Sequence, residues 1–313
     1  MRTALIIGSK IGTGKRMLIT KTRTLATLLA VWVASLFLAS PALAANCYVA
    51  TAQGATGPSN WQSYCWIDFT TYNDIAARSA SGQSYSLTLQ DGTVLSFVMK
   101  VSGAAINAAA APSWSGASVV NTSFTGIGGR PVVYQTAAGT TTVTFSGITL
   151  TPPSGASTVT AYMFVAADAE SSNEGESLSF QTNGAGWTML DQAGPISGAT
   201  YPTYSGIGTS TFTETGVPGT VGAYIVGSST PTTLTTTMVG GGLQGSMFAV
   251  RFSSIRLTTQ ISGARANAAD QFAFSISAAA NGTVLASGTS SGTGLGPFQA
   301  ASLSTTSAIS LKL

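Results

Sequence analysis

The run YSLTLQDGTVLSFVMKV, Tyr85–Val101, decides the fold class of this chain. Tyr85, Leu87 and Leu89 alternate with small polar residues, Asp91-Gly92 supplies a turn, and Leu95, Phe97, Met99 and Val101 alternate on the return. A side-chain period of two turns one face of each arm toward a core, and an Asp-Gly pair between two such arms is a hairpin signal. Lys100 falls on the opposite, solvated face.

The same signature recurs outward from this hairpin. Val143 and Phe145 alternate in TTTVTF, and Ile148 and Leu150 follow a glycine. VTAYMFVA, Val159–Ala166, is apolar on both faces, which predicts a central strand covered on each side. SLSFQTNGAGWTML reads as a second hairpin, with Leu178 and Phe180 before Asn183-Gly184 and Trp187 and Met189 after it. GSMFAVRF, Gly245–Phe252, adds a strand with Phe248, Val250 and Phe252 on one face. Between about Ala193 and Gly242 the chain is rich in Gly, Thr, Ser and Pro, which reads as long loops and short strands of the same domain. No long period of 3.6 residues occurs beyond the first 45 residues. The class is all-β, a two-sheet β-sandwich over 46–258. Beyond a boundary near Thr258–Ala268, Phe272, Phe274 and Ile276 alternate, Asn281-Gly282 turns, and Val284 resumes. Residues 259–313 thus read as a partial second β module, too short to close a core of its own.

Residues 1–45 carry the three parts of a secretory signal peptide: Lys15, Arg16, Lys21 and Arg23, then the apolar run Leu25–Ala39, then small residues at Ala42 and Ala44. Met17 is an alternative start. The segment LIIGSKIGTGKR, Leu5–Arg16, imitates a phosphate loop but has Ser9 and Arg16 where the motif needs Gly and Ser or Thr, so no nucleotide is expected. The apolar run is shorter than the about 20 residues of a membrane span, and no second run follows, so no transmembrane helix is expected in the exported chain.

The charge balance changes once the leader is set aside. Six of the 13 basic residues lie within it and all 10 acidic ones follow it, which leaves seven basic side chains against ten acidic and a net charge of −3. Nothing there recommends nucleic acid as a partner. The chain has no histidine, which excludes the usual Ser-His-Asp and Cys-His machinery. Its two cysteines, Cys47 and Cys65, are expected to form a disulfide in an oxidising compartment.

Two constellations carry candidate chemistry. DAESSNEGES, from Asp168 to Ser177, concentrates Asp168, Glu170, Glu174 and Glu176. Carboxylate oxygens are what Ca²⁺ prefers, so these four form a candidate Ca²⁺ set; the competing reading is a solvated turn whose carboxylates accept backbone N–H bonds. NWQSYCWIDF puts Trp66 and Asp68 on one side of a strand and Ile67 and Phe69 on the other, so that one face is core. A ring beside a carboxylate suits sugar stacking, although a Trp next to a disulfide also suits packing.

YCWIDF, VAADAESSNEGESLSFQTNGAGW and MFAVRFSSIRLTTQI, taken in order, resemble the second non-repetitive domain of the CshA-type surface adhesin of streptococci. The resemblance covers roughly residues 58–258, and residues from about 259 are similar to the opening strands of prealbumin-like modules. It implies a lectin-like sandwich displayed at the cell surface, with fibronectin the partner associated with the streptococcal adhesin. The family pattern falls on Trp66, Asp68, Asp168, Glu170, Glu176 and Trp187. The expected function is adhesion without catalysis, the ligand being a host extracellular-matrix glycoprotein or a glycan and its candidate contacts Trp66, Asp68, Asp168, Glu170 and Trp187. The alternatives are a structural spacer that binds nothing, and a carbohydrate-active enzyme using Asp168 or Glu170 with a second carboxylate.

Overall fold

The computed structural model describes residues 43–50, 64–89, 91–111, 126–153, 161–193, 200–219, 221–241, 244–296, 298–305 and 311–312. The expected signal peptide lies outside them except for its last three residues, as does Trp61 of the NWQSYCWIDF stretch. The chain opens with β1 (Leu43–Ala45), β2 (Cys47–Tyr48) and β3 (Cys65–Ile67), then the one-turn helix α1 (Asp74–Arg78). There follow β4 (Gln83–Thr88), β5 (Val94–Gly103), β6 (Ile106–Ala109), β7 (Val132–Gln135), β8 (Gly139–Thr151) and β9 (Met163–Asp168). Next come β10 (Ser177–Thr182), β11 (Thr188–Ala193), β12 (Thr203–Ser205), β13 (Thr211–Thr215), β14 (Ala223–Ser229), β15 (Thr233–Gly240) and β16 (Gly245–Arg251). The last strands are β17 (Ser253–Thr259), β18 (Ala273–Ala278), β19 (Val284–Thr289), β20 (Phe298–Thr305) and β21 (Leu311–Lys312).

Two large sheets form a sandwich. One runs β1-β4-β5-β8-β15-β10-β13-β12; the other runs β11-β14-β9-β16-β3-β2, with β6 and β7 joined to it through β16. The expected β4–β5 hairpin is present, Tyr85 opposite Phe97 and Leu87 opposite Leu95. Gly92, at φ +83°, makes its turn, and Asp91 caps Thr93 through both its backbone N–H and its hydroxyl. The inward residues of the two sheets meet in one core. At its centre Phe145 packs edge-on to Phe248 at 4.7 Å between ring centroids, beside Phe97, Phe164 and Phe69.

β8 explains its own odd pattern. Val143 and Phe145 point inward, then Gly147 at φ +62° inserts a residue, after which Ile148 is the buried one. A bulge of this kind switches the face that alternation presents, and a left-handed residue is what glycine allows without a Cβ clash. β9 is the central strand that its apolar run predicts. Phe164 and Ala166 face the inter-sheet core, while Val165 and Ala167 face a second apolar cluster on the outer side. That outer cluster also takes Tyr64, Trp66, Ile127 and Met247, so the second sheet is covered on both faces.

Two expectations need correction, and one pair of alternatives is decided. Ser177–Leu190 is not a hairpin: β10 lies in one sheet and β11 in the other. The Asn183-Gly184 turn bonds to a neighbouring loop instead of across two arms. The Asn183 side-chain oxygen Oδ1 accepts from Thr232 N and Thr233 N, and Trp187 N donates to Thr209 O. The described residues within 193–242 are strand-rich, and β15 is an inner strand of its sheet, with Leu234, Thr236 and Met238 buried. Its threonines hid it, since a run of Thr looks like loop in composition while favouring extended backbone. Of the two readings of Trp66, sugar stacking and packing, the structure shows packing, with its side of β3 buried.

Toward the C-terminus β17 pairs with β20, and β18 pairs with β19 and β21. The expected hairpin about Asn281-Gly282 is present, with Gly282 at φ +70°. The expected boundary near Thr258 cuts across the ladder that ties Ser253–Thr259 to Phe298–Thr305.

Candidate functional site

The acidic turn closes one end of the sandwich. Asp168 is the last residue of β9, opposite Ser246 on β16. The strand stops there because the Asp168 carboxylate accepts from Glu170 N at 2.9 Å, a local turn that competes with the sheet ladder. Its other oxygen accepts from the Ser172 hydroxyl at 2.9 Å, and Ser172 in turn accepts from the Gln244 side-chain amide at 2.8 Å. The turn is then sewn to the β13 end: Gly216 N donates to Glu176 O, and Val217 N to Ser172 O. A Cβ on Gly216 would overlap the carbonyl oxygen of Asn173, so only glycine permits this approach.

The four carboxylates of the turn do not converge. Glu174 is exposed. Glu176 accepts from Asn173 N at 2.8 Å and from Gly241 N at 3.4 Å, which makes it a clasp for the turn. Glu170 is nearly buried, and desolvation, with the charges of Asp168 and Glu176 adding to it, raises its pKa to about 9. Asp168 is fully enclosed. Its neighbour is Glu214, a residue the sequence reading passed over, which arrives from β13 in the opposite sheet. Glu214 stands on the inward side of TFTET, in step with buried Phe212, and a carboxylate in the register of a core Phe was the available signal.

Burial raises the pKa of both carboxyls, and for Glu214 the adjoining Asp168 charge raises it further. Neither Glu214 oxygen has an N–H or O–H donor, and a hydrogen bond to Asp168 itself requires a proton. Among the described residues no group of three or more His, Cys, Asp or Glu is placed to hold a metal ion.

The remaining candidates sit elsewhere. Asp68 accepts from Thr70 N at 2.8 Å, the Thr70 hydroxyl at 2.6 Å and Arg130 N at 2.8 Å, which locks the loop that enters β7. Gly129, at φ +70°, brings its backbone against that carboxylate, where a Cβ would clash. Trp66 is wholly buried on the outer face beside Tyr64, at 5.7 Å between rings. Trp187 is wholly buried between the sheets against Phe180, its indole N–H donating to Ser210 O at 3.2 Å. Neither ring presents a face to a ligand here. Cys47 and Cys65 form the expected disulfide between β2 and β3.

The aromatic ring that does face solvent near the turn is Tyr204 on edge strand β12, 49% exposed and cross-strand from Glu214. It stacks on Phe212 at 5.9 Å and meets Tyr224 edge-on at 4.9 Å.

The family model for the surface adhesin CshA non-repetitive domain 2 matches residues 62–252, well over half of the 313-residue chain. This chain belongs to that family. The model for a prealbumin-like fold domain matches residues 254–313. No curated protein and no solved structure matches the chain. The two matched domains make it a surface adhesin or stalk module, and the adhesin family implies an extracellular or cell-surface location. Families of this kind are generally non-catalytic. No helix among the described residues is long and apolar enough to cross a membrane.

Proposed function

We propose that the sandwich is an adhesion domain, exported by the leader at 1–45, that binds a host matrix glycoprotein or a glycan without catalysis. The observation that carries this reading is the match to a surface adhesin domain over residues 62–252. The best contact surface is the end of the sandwich where Tyr204 stands exposed and the acidic turn bearing Glu170 and Glu174 reaches the surface. An aromatic face held rigid from behind, near carboxylates, suits a sugar ring and its hydroxyls. Trp66, Trp187, Asp68 and Asp168 serve this surface as scaffold. We place the division from the prealbumin-like module between Arg251 and Ser253, where β16 ends and the β17–β20 ladder begins.

A spacer reading draws support from the same burial, since residues enclosed this fully serve a fold whether or not it binds anything. Binding of the purified full chain to immobilised fibronectin and to a glycan panel separates the two. We expect saturable binding that Tyr204→Ala weakens at least about tenfold with an unchanged melting curve, the scale of one buried aromatic contact. Absence of binding to every probe would favour the spacer. Turnover of a glycan would favour an enzyme.

A further inference from the structure

We propose that Asp168 and Glu214, one from each sheet, hold a single Ca²⁺ ion inside the acidic end of the sandwich. This goes beyond the adhesion reading and does not depend on it. Both side chains are fully enclosed, and they face each other. Among the described residues the ion pair is Arg78–Asp74, within α1, and no arginine or lysine forms one with Asp168 or Glu214. Two facing carboxylates in a dry core cannot both stay ionised alone, and either a proton or a cation neutralises them.

The orphaned atoms around them point to the kind of partner. Both Glu214 oxygens lack a donor. So does the Ser246 hydroxyl, cross-strand from Asp168 on the inward face of β16. Ser172, already bonded to Asp168, adds another hydroxyl. Every one of these atoms is an oxygen. Oxygen ligands of mixed charge, two carboxylates with serine hydroxyls, suit Ca²⁺, which tolerates irregular geometry; Mg²⁺ keeps several waters and fits an enclosed site poorly. The ion's double charge balances the two carboxylates. The donor set differs from the four carboxylates of the turn: Glu174 is exposed, and Glu176 is engaged with backbone N–H groups.

The test uses the full chain, stripped with EGTA and then titrated with Ca²⁺ at pH 7.5. We expect Tm to rise by about 5–10 °C at a hundredfold excess over the dissociation constant. Glu214→Gln should abolish the rise, and Glu174→Gln should retain it. Because Glu214 is fully buried and its replacement tests folding as well as binding, the unaltered chain supplies a second readout. Tb³⁺ at this site should give luminescence sensitised by Tyr224, whose ring neighbours Glu214, and Ca²⁺ should compete it away. No Tm rise together with no sensitised emission would overturn the proposal and leave a proton as the neutralising partner. Binding to fibronectin or glycans that persists in EGTA would leave the adhesion reading intact while this one fails.

Discussion

Asp168 and Glu214 are carboxyl groups held where water does not reach, and Glu170 is nearly so. In the unfolded chain such groups titrate at about 4. In the native chain each keeps its proton to higher pH, up to about 9 for Glu170. The native state therefore binds more protons across that window, and stability contributed by these groups is full below about pH 4 and falls as pH rises toward 9. In EGTA, the denaturation midpoint of the full chain should be higher at pH 5 than at pH 9, with Glu214→Gln flattening the slope. A midpoint that rises over the same range would contradict the burial of these groups as acids. Bound Ca²⁺ would also flatten the slope, because the carboxylates then fold ionised. Asp68 is a contrasting case, with three donors converging on its carboxylate and a loop held in consequence.

Among the elements, β2 and β3 are two and three residues long, at the margin of the second sheet. Two short strands cannot hold their register by ladder bonds alone, and the Cys47–Cys65 disulfide, closing a separation of 18 residues, fixes it. Its removal by Cys47→Ser with Cys65→Ser should lower the free energy of unfolding by about 3 kcal/mol on the loop-entropy argument, read by urea titration. A loss near zero would mean that the outer cluster around Trp66 and Tyr64 secures these strands unaided. The β4–β5 hairpin and β9 were legible from alternation because each residue there declares its face. The crossing at Asn183–Gly186 was not, since Trp187 is inward whether its strand pairs with β10 or joins the opposite sheet.

At the scale of the whole molecule, burial is uneven. The sandwich core runs from Ile67 to Val250, whereas β18 buries only Ile276, β19 exposes most of its residues, and Phe272, Val284 and Leu285 stand in solvent. Local opening is easiest where little apolar surface is removed from water. Native-state hydrogen exchange should therefore leave the amides of β8, β9, β15 and β16 the slowest, with those of β18 and β19 exchanging at least about tenfold faster. Equal protection throughout would show a C-terminal module more firmly packed than its exposure implies. By itself the sequence determined the all-β class, the first hairpin, the central strand, the disulfide and the family, because period-two alternation, turn chemistry and motif order are local properties. Only the tertiary structure decided which sheet each strand joins, that Trp66 and Trp187 are enclosed, and that Asp168 meets Glu214. Alternation reports which way a side chain points along its own strand; it carries no information on what the opposite sheet brings to face it.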